Sequence, residues 1–376
     1  MLLQNRANKY YLLLLIFPLL FLTEACDKKE KTRDVVLRNY ANGEPQVIIT
    51  FQGKGENEKK IRQIEYYENG KVRSEVNFNG KKEHGKATTW YESGQVKFIE
   101  YYNEGLKDSV YRFWHENGQL GAEEYYDNGE ITGESKTWFE NGKLATHAFH
   151  EEGAYEGEFK KWYANGNIMQ EGQYSNDKKE GIWRYMGTNG QVESEGGYQD
   201  DKKEGFWSYW YKNGQKRAEG NYVKGEKQGK WPFWYSNGKL VAETYFNNGL
   251  KDGLWREWYE NGQLGFEGNY KDGKEHGTIT TWYENGNKKW ERNYVMGKEH
   301  GTSKTYWPNG KISTIGHFID GKEHGLFIGY YQNGQKEFER FYEDGKADGD
   351  FIRFDRQGNV KERFYFEDGQ LIRREN

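Results

Sequence analysis

From Gln63 to the C-terminus the apolar positions trace no helical stripe. They fall into short runs with a two-residue beat, interrupted by turn signals at regular intervals. In "WREWYENGQLGFEGNYKDGKEHG", Trp255 to Gly277, a run rich in Trp and Tyr leads into Asn261-Gly262, a strong hairpin signal. The return run sets Leu264, Phe266, Gly268 and Tyr270 against Gln263, Gly265, Glu267 and Asn269, which predicts a strand with one apolar face. "KDGKEHG" then turns the chain again. Each copy therefore predicts two strands and two turns.

The glycine that follows Asn in these copies recurs every 24 residues from Gly70 to Gly358, giving thirteen units without an insertion. Gly262, Gly286 and Gly310 are examples. Asn42-Gly43 marks a divergent fourteenth unit, set off by three extra residues within Gly53–Lys60. A period of this kind outranks any local motif. The fold class it predicts is all-β: one elongated, twisted sheet of antiparallel hairpins, solenoid-like, with a divergent first repeat over 36–60 and a regular array over 61–376. A lone pair of short strands buries too little apolar surface to offset its ordering entropy. Stability is therefore expected from neighbours sharing edges, as in other quasi-one-dimensional repeats.

The period also decides how the recurring "EHG" is read. His84, His276, His300 and His324 share one column, but Asp108, Thr132, Glu156, Glu180 and Gln228 fill it elsewhere. Those residues share turn-compatible polarity and no common chemistry. The glycine that follows recurs at Gly277, Gly301 and Gly325, with Ser109 as the exception among the regular units. Equivalent residues two strands apart stand about 10 Å from one another, too far to share zinc bonds of about 2 Å. The column reads as a structural turn, and neither metal nor cofactor is expected.

Two aromatic columns carry most of the bulk. One holds Trp210, Trp234, Trp258 and Trp282, four residues before the Asn-Gly glycine; the other holds Tyr222, Tyr270 and Tyr294, eight after it. They are expected to stack as ladders forming the core, with an aromatic platform for sugars as the alternative. A Glu column that includes Glu195, Glu243 and Glu267 is expected to pair across strands with Lys or Arg, or simply to be solvated. His147 and His150, separated by an odd number of residues on one strand, should face opposite ways.

Composition refines this picture. Hydrophobic content of 34% is low, but aromatic content of 17% argues against disorder. Lys plus Arg (55) nearly balances Asp plus Glu (59) with no basic block, so nucleic acid is not an expected partner. Outside the repeats no P-loop, G-x-S-x-G or Cys/His cluster remains to support catalysis.

Residues 1–25 differ in kind. Arg6 and Lys9 precede an uncharged stretch from Tyr10 to Leu22, and Cys26, the chain's only cysteine, closes the segment. This has the form of a secretory signal and is short for a membrane span. It resembles a bacterial lipoprotein signal, which implies lipidation of Cys26, export and a lipid-anchored place in the cell envelope. Thr23 and Glu24 depart from the usual pattern, and plain secretion is the alternative. Residues 26–35 read as a polar tether.

The grammar "YxxGKxHGxxxxWYxNGxxxxEGxY" is spelled by Tyr270, Gly273-Lys274, His276-Gly277, Trp282-Tyr283 and Asn285-Gly286. It resembles the MORN-repeat variant family, whose bacterial members include YwqK-like antitoxin-labelled proteins. The resemblance implies a hairpin array and interaction rather than catalysis. Three readings follow: a membrane-anchored scaffold binding another protein along its long face, a binder of glycan or cell-wall polymer, and antitoxin-like capture of a toxin.

Overall fold

The computed structural model of the protein describes residues 31–375. The signal-like segment, Cys26 and the tether up to residue 30 lie outside the described residues. The remainder of the tether is shorter than expected: Thr32–Asn39 is already a strand, hydrogen-bonded to Pro45–Gln52. All described strands belong to one sheet of 35 segments, in which successive strands pair antiparallel. Among the described residues the only helical turn is a 3-10 turn, Gly55–Asn57, formed by the three-residue insertion.

One unit runs out along Lys202–Trp210, returns along Lys216–Val223 and hands over to Glu226–Trp234. The two turns use different chemistry. At the conspicuous Asn-Gly, the Tyr211 carbonyl accepts from the Gly214 N–H at 2.9 Å, and the Tyr211 N–H donates to Gln215 O at 2.8 Å. Asn213 stays right-handed and its Oδ1 accepts from the Gln215 N–H at 3.1 Å. Gly262, Gly286 and Gly310 hold the corresponding positions. The tight two-residue turn lies at the other end of the strands, where Asp272 and Gly273 have φ of 49° and 78°.

Gly277, Gly301 and Gly325 correct the sequence expectation in one respect: they sit in β-bulges, not turns. Gly277, at φ 82°, follows a break between Lys274–Glu275 and Gly277–Trp282, where the His276 N–H donates to Asn269 O at 2.9 Å. Ser109 occupies the same left-handed conformation at φ 71°, which strains a residue with a Cβ. Ser109→Gly is expected to stabilise its hairpin by about 0.5–1 kcal/mol, read as slower amide exchange in the strand Ser109–Trp114.

The core also departs from expectation. Trp210, Trp234, Trp258 and Trp282 are only half-buried, whereas the half-buried tyrosine column packs on the core rings as expected, Tyr222 on Trp207 and Tyr270 on Trp255. The fully buried column lies seven residues before the Asn-Gly glycine: Trp183, Trp207 and Trp231 are 0–1% exposed, with Ile279 at 2%. A one-layer sheet has no second layer to cover these indoles, so their own row covers them. Trp207 faces Gly196 and Gly220 on the flanking strands. The rings of Tyr198 and Tyr222 meet it edge-on at 5.2 and 6.1 Å, and Lys203 Nζ lies 4.1 Å from its ring centre.

The indole N–H also closes the bulge of the preceding unit. Trp183 donates to Gln173 O at 3.0 Å and Trp207 to Gly197 O at 2.9 Å. One unit beyond Trp231, the corresponding Tyr245 carbonyl is taken by the Asp252 N–H, and buried Trp255 Nε1 has no partner. Trp207→Phe is therefore expected to cost about 1 kcal/mol more than Trp255→Phe, measured by hydrogen exchange in the strand carrying each residue.

Candidate functional site

The alternation along each strand separates two faces of the sheet. One carries the buried Trp column and its tyrosines. The other carries a charge ladder in which Arg256 bridges Glu243 at 3.8 Å and Glu267 at 2.7 Å, and Lys230 reaches Glu243 at 2.7 Å. Arg184 likewise lies between Glu171 and Glu195. Glu195, Glu243 and Glu267 are thus paired across strands, whereas Glu219, Glu291 and Glu339 of the same column pair with a lysine three residues earlier on their own strand. These exposed pairs fix register and solubility and add little stability each.

On the aromatic face, along the margin nearest the Asn-Gly turns, runs a series of open clefts. One of about 640 Å³ lies among Tyr185, Tyr209, Trp210, Tyr211 and Arg217. The next, about 320 Å³, lies among Tyr235, Trp258, Phe266, Trp282 and Trp290. A third, about 520 Å³, follows between Trp307 and Tyr331. The first is lined by Ser236 and the second by Tyr235, neighbouring residues of one turn, so the two clefts adjoin there and are together called the trough. Trp210, Trp258 and Trp282 line it; Trp234 contributes a backbone anchor instead.

That anchor belongs to a hydrogen-bonded ladder that makes the wall rigid. Tyr211 Oη donates to Trp234 O at 2.8 Å, Tyr235 Oη to Trp258 O at 3.0 Å and Tyr259 Oη to Trp282 O at 2.8 Å. Asn213 Nδ2 adds a bond to Ser236 O at 2.7 Å. Each unit is therefore tied to the next through its turn as well as its strands. The irregular unit accepts this tie, since Tyr163 Oη donates to Met186 O at 3.0 Å, but Gly187 has no hydroxyl to pass it on, and among the described residues only Asn189 Nδ2 reaches the next turn, at Lys212 O, 3.3 Å away.

At the opposite margin of the same face a lysine row lies among the rings. Lys179, Lys203 and Lys227 stand 4.1–4.3 Å from the centres of Trp183, Trp207 and Trp231. Lys203 Nζ donates to Tyr209 Oη at 2.7 Å, which meets Tyr222 Oη at 3.0 Å. Burial pulls all three amines below the ordinary lysine value and pushes Tyr209 and Tyr185 well above the ordinary phenol value; Tyr270 rises to about 12. Burial likewise raises Tyr294. The sequence reading passed over this row. Its signal was the column in which Lys179, Lys203, Lys227 and Lys251 recur at the unit period.

The histidines stay apart. His84 and His300 lie in bulges, each 3.7–3.9 Å from a carboxylate across the adjacent turn. His147 meets Glu134 at 2.8 Å on the charged face, whereas His150 packs on Tyr155 at 4.5 Å on the aromatic face, where burial lowers its pKa. Among the described residues no three His, Cys, Asp or Glu side chains converge as metal ligands.

A family model described as MORN repeat variant matches ten segments: residues 61–79, 83–104, 107–128, 131–151, 155–176, 227–248, 251–272, 275–296, 299–320 and 323–344. No curated protein matches the chain. Among solved structures, the chain is similar to the crystal structure of TcdB2-TccC3, at 9% identity over 89% of this chain and 20% of that one, with a TM-score of 0.16. The Photorhabdus luminescens Tc holotoxin pore gives 11% identity over 91% of this chain and 19% of that one, with a TM-score of 0.15. The chain spans about a fifth of the length of these proteins.

Proposed function

The chain belongs to the MORN repeat variant family, and from that premise we propose that it is a non-enzymatic interaction module that binds a protein partner along the trough. The observation that carries this reading is the trough itself, two adjoining clefts walled by tyrosines locked to the next unit's backbone. A rigid aromatic surface loses little entropy on binding. Half-exposed Trp and Tyr are the residue types that dominate interface energetics. Lipidation at Cys26 would hold the array at a membrane of the cell envelope.

A glycan or cell-wall polymer is the second reading, favoured by the same indole and phenol rings, which suit stacking against sugar rings. Full-length chain and a Trp258→Ala/Trp282→Ala variant, both used as bait on envelope fractions and on a glycan array, separate the two. Loss of a captured protein in the variant supports the interaction module. Loss of glycan binding supports the polymer reading, and equal capture by both baits contradicts use of the trough. Anchoring is tested separately by metabolic fatty-acid labelling, which should disappear in Cys26→Ala.

A further inference from the structure

The lysine column changes sign partway along the array. At the position paired with the aromatic residue before each two-residue turn stand Lys203, Lys227 and Lys251, facing Tyr198, Tyr222 and Phe246. The next three units place Glu275, Glu299 and Glu323 there, facing Tyr270, Tyr294 and Phe318. All six side chains are half-buried on the aromatic face. Among the described residues, Lys203, Lys227 and Lys251 form no ion pair with a carboxylate. On the acidic side Glu299 has Arg292 at 3.6 Å, and its Oε1 is buried without a hydrogen-bond partner.

The order of signs is antisymmetric about the strand Leu264–Lys271, which lies midway between Lys251 and Glu275. A two-fold axis along that strand turns the face of one copy onto the face of another and reverses the order of units. Lys251 then meets Glu275 of the second copy, Lys227 meets its Glu299, and Lys203 meets its Glu323. The three pairs repeat on the other side of the axis, as an isologous contact requires. All six residues occupy the same column, so the pairs also match along the strand direction. The charged row follows one margin of the face and the trough the other; because the operation keeps position along the strand, the trough margin of one copy lies over that of the other, so the dimer and a partner in the trough compete for the same face.

We propose that the protein self-associates as a two-fold dimer through this row, with Lys203, Lys227 and Lys251 of each copy paired with Glu323, Glu299 and Glu275 of the other. The lysines are already partly stripped of water by their aromatic surroundings, which reduces the further desolvation cost of pairing. Opposite charges in register also fix the alignment of the two copies and disfavour a parallel one, in which lysines would face lysines.

The test uses the full chain in mild detergent, mixed as ordinary and heavy-isotope-labelled copies and treated with a zero-length carbodiimide cross-linker. Within one chain Lys227 and Glu299 are three units apart, roughly 29 Å, and Lys203 and Glu323 five units, roughly 48 Å. A direct Lys–Glu bond between either pair can only join two copies. Light-to-heavy links Lys227–Glu299 and Lys203–Glu323 are expected. Two charge-reversed chains, Lys203→Glu/Lys227→Glu and Glu299→Lys/Glu323→Lys, should each weaken self-association roughly tenfold or more in sedimentation, while their mixture restores the dimer. A monomeric parent chain at low salt, absence of both links, or reversed chains that dimerise as well as the parent would overturn the proposal. Failure here is distinguishable from failure of the trough reading, because the cross-links and charge reversals report on the row alone, whereas Trp258→Ala/Trp282→Ala reports on the trough.

Discussion

Gly220→Ala is expected to destabilise its hairpin by about 2–3 kcal/mol, although alanine is the smallest change available. A Cβ at residue 220 would stand 2.3 Å from Cε2 of the Trp231 ring, whose side chain is 1% exposed and held by Asn221 O at 3.3 Å. The obstacle is an immobile indole, so strain is not relieved by swinging a flexible side chain aside. Gly205 serves as the contrast, because a Cβ there meets nothing within 4 Å and its cost is backbone strain alone at φ 70°, about 1 kcal/mol. Amide exchange across Lys216–Val223 and Glu226–Trp234 measures the difference. Partial recovery in Gly220→Ala/Trp231→Phe would identify the ring as the cause.

Trp207→Ala is expected to cost more still, about 3–5 kcal/mol. The side chain is 1% exposed in a sheet with no opposing layer, so nothing above it can settle into the gap. Its removal also strands the Gly197 carbonyl and takes away the ring over which Lys203 lies. In a quasi-one-dimensional array the damage should remain local. Faster exchange is expected in Val192–Gln199, Lys202–Trp210 and Lys216–Val223, with the strands beyond Lys322 unchanged. Uniform acceleration along the whole chain would mean that units are coupled far more strongly than nearest-neighbour contacts allow.

Why the sequence led to the wrong tryptophans follows from the same geometry. The period, the strand pairs and the hairpin array were legible because Asn-Gly spacing and the two-residue beat are local signals. Burial in a one-layer sheet is not local. Trp210 and Trp207 look alike in sequence, yet Trp207 lies over Gly196 and Gly220, whereas Trp210 lies beside the bulge where Tyr209 and Trp210 shift register. The telling signal was a pairing of columns, with a large ring at 183, 207 and 231 matched by glycine at 172, 196 and 220. Reading one column at a time hides that complementarity.

The bulge glycines were misplaced for a related reason. Gly277 and Gly273 are close in sequence and both require a left-handed backbone, so one polar cluster reads as one turn. The structure divides it into a two-residue turn and a bulge that re-aims the strand. The trough and the lysine row went unread because each is assembled from several units. Only the Trp members of the trough, Trp210, Trp258 and Trp282, had been singled out, and as core.

The central claim is that hairpins are held by their sheet-edge neighbours, each one adding its own width to a continuous array. Excising residues 191–286, four whole units, and measuring the maximum particle dimension by small-angle X-ray scattering at high salt tests it most directly. The account predicts a shortening on the order of 40 Å with unchanged strand content per residue by circular dichroism. An unchanged maximum dimension, or loss of the β signal from the remaining units, would contradict it.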